Sequence, residues 1–260
     1  MRIGRCFNDF KSGAKEYGRL SDLGYEYLEL PLTEVAEFDE SQLGIIRQCA
    51  ESAGLGIESC NIFFPGTLAL LGDLFDENAV CGYVEGALGK AAALGIRTAV
   101  LGSGGARRRP EGMPAAQAEE KLADTFGKTA DIAAEYGITI ALEPLSAAEC
   151  NTITSAMEGM AMVKRVNREN FRLLLDIYHM DQNHESLDVI PKAAPMLTHC
   201  HLAAIPDRGF PGPERMGSYI GFLTALRDAG YAGDISVEAD TRTETADGGV
   251  WHLRKWVKGS

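Results

Sequence analysis

Four residues of the 260-residue chain could hold one divalent cation: Glu143, Asp176, His201 and Glu238. Each ends a short apolar run (139–143, 171–176, 197–201 and 234–238) that reads as a buried strand. The four ends are 33, 25 and 37 residues apart, close to the ~30 residues needed by a strand, a crossover helix and a return strand. Parallel strands connected in that way bring their last residues to one edge of a sheet. A single carboxylate after a strand is by default a helix cap or a surface charge. Three carboxylates buried together need another explanation, because their repulsion and desolvation are costly unless a cation compensates. Three carboxylates and one imidazole suit manganese, cobalt or magnesium better than a thiolate-rich zinc site does.

Other side chains gather around this set. His179 follows Asp176 by three positions, so its ring can reach over the ion without binding it, with a half-exposed loop histidine as the plainer alternative. His199 shares a strand face with His201 one layer deeper and reads as a core histidine or a support for a ligand. His184 and His252 read as solvent-facing. Glu29, at the end of the second strand, faces the mouth of the site or serves as a helix cap or surface charge. Phe7, Phe63 and Phe64 lie just past the first and third strands, as an aromatic wall or as core filling. Phe210-Pro-Gly-Pro213 reads as a lid or a stiff turn. The basic cluster Arg107-Arg108-Arg109 reads as a solvated loop, with anion binding as the alternative. The preceding Gly102-Ser-Gly-Gly-Ala106 lacks the Lys-Ser/Thr of a phosphate-binding loop.

The positioning elements alternate strand and helix from end to end, as in a parallel sheet covered by helices. Strands are expected over 2–6, 25–30, 55–61 and 98–101, followed by the four runs above. Helices are expected over 14–23, 41–53 with Asp39 as cap, 114–136, 154–166 with Thr154 as cap, 187–194, 218–229 and 249–257. A further helix begins at Asp76 and stops at Gly95. Leu43, Ile45, Ile46 and Ala50 are expected on one buried face. Eight such units in a chain of this length make a (β/α)8 TIM barrel, one domain spanning 1–260. In that fold catalytic groups sit at the C-terminal ends of the strands, where the four residues are placed.

Composition excludes several classes of function. Net charge is −12 and the chain has five histidines, which leaves no basic footprint for nucleic acid and too few imidazoles for a multi-zinc nuclease. No run approaches the ~20 apolar residues of a membrane span, and the N-terminus lacks the pattern of a signal peptide. Six scattered cysteines without a CxxC pair read as reduced thiols in a cytoplasmic protein.

Glu143-Pro144-Leu145 with Glu149-Cys150-Asn151, Leu175-Asp176-Ile177-Tyr178-His179, His199-Cys200-His201, Asp207-Arg208-Gly209-Phe210-Pro211-Gly212 and Ile235-Ser236-Val237-Glu238 resemble the sugar isomerase/epimerase superfamily with a xylose-isomerase-like barrel. Within it they are most similar to the ketose 3-epimerases of the tagatose and psicose type. The resemblance implies one divalent ion held by Glu143, Asp176, His201 and Glu238. Manganese is the expected ion, with cobalt, magnesium and zinc as alternatives. It also implies Glu143 and Glu238 as the acid/base pair, and Glu149, His179 and Arg208 as holders of sugar oxygens. A homodimer or homotetramer is implied as well. Two departures stand out. The segment from His201 to Arg208 is one residue longer than the family pattern, which leaves the reach of Arg208 open, and Ser146-Ala147-Ala148 is smaller than the corresponding pocket wall.

The chemistry that follows is metal-assisted epimerisation or isomerisation of a small ketose or related sugar. A proton next to a carbonyl is too weakly acidic for an unaided carboxylate, and a Lewis acid on the substrate oxygens stabilises the cis-enediolate as it forms. Carboxylates on both faces of that planar anion invert a carbon, whereas service from one face gives aldose–ketose exchange. Two alternatives stay open: a dehydratase or lyase of the same superfamily acting on a keto-inositol or dehydroshikimate-like substrate, and a non-catalytic metal-bound sugar-binding protein.

Overall fold

The computed structural model describes residues 1–8, 17–240 and 250–258. Eight parallel strands close into a barrel in chain order: β1 (Ile3–Cys6), β2 (Tyr27–Pro31), β3 (Gly56–Asn61), β4 (Thr98–Leu101), β5 (Thr139–Leu142), β6 (Phe171–Asp176), β7 (Leu197–Leu202) and β8 (Asp234–Val237). β8 pairs with β1, with Gly4 opposite Ser236, so the sheet has no free edge. Both faces of the strands are covered, which is why they read as apolar runs rather than alternating ones. The (β/α)8 expectation therefore holds.

The helices that cover the barrel are α1 (Tyr17–Asp22), α2 (Leu32–Val35), α3 (Glu40–Ser52), α4 (Glu77–Leu94), α5 (Ala115–Glu135), α6 (Ala156–Val166), α7 (Ile177–Gln182), α8 (Ile190–Ala193), α9 (Ile220–Asp228) and α10 (Trp251–Lys258). Local chemistry sets their ends. Asp39 and Gln42 form a reciprocal capping box at α3, and the Asp76 side chain accepts from the first amides of α4. Gly95 ends α4 at φ 93°, a conformation that favours glycine. The cap of α6 is Ser155, one residue after the expected Thr154; its hydroxyl accepts from Glu158 N. Ile45 is 54% exposed, while Leu43, Ile46 and Ala50 are buried, so the apolar stripe of α3 is narrower than expected. α9 begins two residues later than expected, after a 3-10 turn over Pro213–Ser218. The expected first and last helices fall partly on residues 14–16 and 249, outside the described residues.

Alternation along the strands defines the barrel interior. Gly4 leaves room for the Tyr27 ring, since a Cβ on Gly4 would fall 2.1 Å from it. The Tyr27 hydroxyl meets Ser236 Oγ at 2.9 Å. Val100, Ala141 and Leu174 form a small apolar cluster separate from the main core between barrel and helices. Glu143, Asp176, His201 and Glu238 lie two positions beyond Ala141, Leu174, His199 and Ser236 respectively. With a side-chain period of two, each is one layer nearer the C-terminal mouth. Among the cysteines, Cys6, Cys60, Cys150 and Cys200 are buried and Cys49 and Cys81 half-buried, all free thiols.

Two surface expectations, at Arg107 and His252, are corrected, and at 210–213 the stiff turn is the alternative favoured. Arg107 is not a solvated residue: it is fully buried, and its guanidinium donates to Gly102 O (2.6 Å), Glu143 O (2.8 Å) and Thr152 O. His252 is half-buried against the Tyr219 hydroxyl at 2.9 Å, rather than solvent-facing. Phe210, Pro211 and Gly212 are buried, with the Tyr219 hydroxyl within 3.1 Å of the carbonyls of Pro211 and Gly212, so this segment is a seated turn.

Candidate active site and metal centre

One ligand atom from each of Glu143, Asp176, His201 and Glu238 lies within 4.8 Å of the others, and all four residues are buried. Glu143 and Glu238 directly follow β5 and β8, Asp176 ends β6, and His201 is the last residue but one of β7. Asp176 does more than end β6, because its Oδ1 accepts from Tyr178 N at 2.7 Å and caps α7, a helix where the sequence suggests a loop. That cap fixes the carboxylate and leaves Oδ2 facing the cluster.

His201 Nδ1 stands 2.8 Å from Glu238 Oε2 and 3.2 Å from Glu143 Oε1. None of these three buried atoms makes an aligned hydrogen bond. With an oxygen of Asp176 they lie close together in one buried space, an arrangement that fits a cation. The other ring nitrogen of His201 contacts Glu29 Oε1 at 2.8 Å, which leaves Nδ1 to face the cluster. The donor set of three carboxylates and one imidazole thus fits a divalent ion.

Charge shapes the same space. Burial alone would raise the Glu238 pKa, but Arg208 and His201 outweigh it and hold the carboxyl well below its usual range. Asp176 goes the other way: burial pushes it up, and His179 and Arg208 oppose this only in part. Burial would lower His201, but Glu29 and Glu238 raise it well above the ordinary histidine value.

Arg208 reaches the cluster, which resolves the question left by the longer β7 loop. Its Nη2 lies 2.6 Å from Glu238 Oε2 and 3.3 Å from Asp176 Oδ2, and the guanidinium covers the Tyr178 ring at 4.7 Å. Its backbone is left-handed at φ 53°, which costs a residue with a side chain about 1–2 kcal/mol. Hydrogen bonds between Ala204 and Gly209 in both directions, and from Asp240 N to Arg208 O, hold it there.

His179 is buried with its Nδ1 accepting from Ser146 N at 3.2 Å. The neutral ring therefore carries its proton on Nε2, which lies 3.7 Å from Asp176 Oδ2 and 3.9 Å from Glu143 Oε1, beyond hydrogen-bond range. Glu149 approaches His179 Nδ1 at 3.8 Å with a half-exposed side chain. Phe63 and Phe64 are buried against each other at 4.6 Å between ring centres, which is core filling near the rim, while Phe7 is half-buried.

Two buried residues of consequence were not assigned from sequence. Glu29, left open between mouth and surface, is fully buried beneath the cluster and in contact with both His199 and His201. Arg107 ties the β4 and β5 loops together through backbone carbonyls, including that of Glu143. Asn183 adds a third tie, accepting from Ala147 N and donating to Leu145 O and Thr154 O. The cavity of about 270 Å³ between α5 and α6 contains none of the cluster residues.

The xylose isomerase-like TIM barrel family model matches residues 18–258. The D-psicose 3-epimerase of Agrobacterium fabrum is 30% identical over 234 residues, covering 86% of this chain and 78% of that protein. The L-ribulose 3-epimerase of a Methylomonas species is 28% identical over 226 residues, covering 83% and 74%. A crystal structure of a D-psicose 3-epimerase in the presence of D-fructose superposes with a TM-score of 0.81 at 26% identity, covering 92% of this chain and 85% of the other. A crystal structure described as an AP endonuclease of family 2 from Brucella melitensis gives the same TM-score at 25% identity, covering 98% and 99%. On the extent of the family match and the closed eight-stranded barrel, this chain belongs to the xylose isomerase-like TIM barrel family.

Proposed function

We propose that this chain is a divalent-metal-dependent epimerase of a small ketose, with Glu143 and Glu238 as its acid/base pair. Its class, sugar isomerase or epimerase, follows from kinship with the ketose 3-epimerases; the residues, the ion and the mechanism are our reading. The observation that carries it is the clustering of one ligand atom each from Glu143, Asp176, His201 and Glu238 within 4.8 Å of one another in a buried space. Manganese as the preferred ion and a homodimer or homotetramer belong to the same proposal and rest on the resemblance; a cytoplasmic setting belongs to it too and rests on the scattered free thiols.

Glu143, Asp176, His201 and Glu238 would hold the cation, which supplies Lewis-acid polarisation of the substrate carbonyl. Glu238, kept ionised by Arg208 and His201, is fit to accept the proton on the carbon beside that carbonyl. Glu143 stands across His201 from Glu238, in position to return a proton to the other face of the planar enediolate. His179 directs its Nε2 proton into the same space, as a donor to a substrate oxygen. Arg208 adds a fixed positive charge at the mouth, and Glu149, half-exposed, is placed to receive a hydroxyl farther out. The DNA-directed reading attached to one structural neighbour finds no support in a chain of net charge −12 with a single histidine in the cluster.

The test is incubation of the manganese-loaded protein with a panel of ketoses in deuterated water. The expected result is a 3-epimer carrying deuterium on C3, with turnover reduced about 10²–10⁴-fold in Glu143→Gln and in Glu238→Gln. An aldose product carrying deuterium on C2 would move the assignment to isomerisation. A conjugated product absorbing in the ultraviolet would move it to dehydration. No carbon-bound deuterium in any ketose, with the ion bound, would sink the proposal.

A further inference from the structure

We propose that Glu29 is the positioning residue of the metal centre: a buried carboxylate that fixes the ring, the tautomer and the basicity of His201 from beneath the barrel mouth. This rests on the reading of the four-residue cluster as a cation site and adds a residue outside it.

Glu29 has no solvent exposure, and no lysine or arginine contacts its carboxylate among the described residues. Five donors surround it instead. Oε1 lies 2.8 Å from His201 Nε2 and 3.5 Å from Cys6 Sγ. Oε2 lies 2.7 Å from His199 Nε2, 2.8 Å from Ser59 Oγ and 2.6 Å from Ser236 Oγ. Ser236 Oγ is in turn 2.9 Å from the Tyr27 hydroxyl and 3.1 Å from His199 Nε2. These donors come from β1, β3, β7 and β8 and meet Glu29 on β2, so most of one wall of the barrel interior serves a single carboxylate.

A fully buried charge is costly even when hydrogen-bonded, and apolar side chains of similar volume often serve stability better. The same barrel has apolar packing at Val100, Ala141 and Leu174, so a polar wall is not required by the fold. What the carboxylate provides and a leucine cannot is a pair of acceptors for two imidazole N–H groups. With its Nε2 proton committed to Glu29, His201 turns its Nδ1 lone pair into the space it shares with Glu143, Asp176 and Glu238. The negative charge behind the ring also makes that lone pair a better donor to a cation. His199 braces the arrangement from the second oxygen, with its ring edge-on to that of His201 at 5.4 Å between centroids.

The test reads the ion and the ring rather than turnover. Manganese affinity, measured by chelator competition, is expected to fall about 10–100-fold in Glu29→Gln, with circular dichroism unchanged. A glutamine keeps one acceptor oxygen but turns an N–H₂ toward the second imidazole. In wild-type protein labelled with ¹⁵N-histidine and loaded with zinc, the His201 signals (identified by their loss in His201→Gln) should show a proton retained on Nε2 and perturbation of Nδ1. Zinc on Nε2, or Glu29→Gln affinity within about threefold of wild type in a folded protein, would overturn the proposal. So would a stoichiometry of two ions per chain, with one reporting on Glu29 and His199, because Glu29 would then be a ligand. If Glu29→Gln does not fold, the wild-type nitrogen spectrum alone decides. An ion held as described in a protein that turns over no sugar would leave this inference standing and sink the functional reading.

Discussion

A single methyl group at residue 102 should separate catalysis from folding. Gly102 directly follows β4 and lies beside Glu143, and a Cβ built there would sit 2.4 Å from Glu143 Oε2 and 3.4 Å from Leu145 Cδ2. A carbon and a carboxylate oxygen settle at roughly 3.3 Å, so in Gly102→Ala the carboxylate must retreat by about 0.9 Å. It is the free end of a side chain and can do so without moving backbone. Gly102 is not among the left-handed glycines, so alanine is conformationally acceptable and stability should change by no more than about 1 kcal/mol. For a chain of this length that is a melting shift of about 2–4 °C. A misplacement near 1 Å costs on the order of 100-fold in rate, or about 2.7 kcal/mol of barrier. The assay pairs thermal unfolding with ketose turnover at saturating manganese. Turnover within about threefold of wild type would refute the role given to Glu143, and a melting drop above about 10 °C would show that backbone had moved instead.

Two further outcomes are expected. Arg107→Met removes three short hydrogen bonds from a fully buried guanidinium and strands the carbonyls of Gly102, Glu143 and Thr152; allowing for relief of the buried charge, the loss is about 4 kcal/mol, read as a fall of about 8 °C in Tm. Arg107→Lys restores the charge but not the fork and should recover less than half, whereas an unchanged Tm in either variant would refute the account. Cation binding should be pH-dependent, because Glu29 and Glu238 raise the His201 pKa, and a proton on Nδ1 competes with the ion. Affinity should fall about tenfold per unit as pH drops, with about one proton released per ion, as read by calorimetry in buffers of different ionisation enthalpy. The sign is opposite for ion-free stability: a raised histidine contributes fully below about pH 6.5, and that contribution is lost as pH rises through its folded value. A pH-independent affinity would contradict both statements.

Part of the site was legible in sequence because strand ends are marked by local patterns. An apolar run that stops at a carboxylate or imidazole, repeated at crossover spacing, places Glu143, Asp176, His201 and Glu238 at one edge of the sheet, and in the structure one ligand atom of each lies within 4.8 Å of the others. His179 and Arg208 were named from motif, and both face that cluster. Glu29 and Arg107 were not assigned, for the same reason: each is a charged residue whose partners are remote in sequence. Glu29 meets His199 and His201 170 and 172 residues away, and Arg107 meets Thr152 and Glu143 45 and 36 residues away. Nothing in their immediate neighbours distinguishes them from surface charges.

The sequence by itself determined the alternation of strand and helix, the caps at Asp39 and Asp76, the glycine stops, the barrel and the side chains at its mouth. These depend on hydrophobic period and on hydrogen bonds within a few residues, which are written locally. Only the tertiary structure decided which charges are buried, which nitrogen of His201 faces the cluster, that Asp176 also caps α7, and that Arg208 spans the longer loop to Glu238. Those features depend on desolvation and on donors contributed by other strands, and both come into being only when the barrel closes.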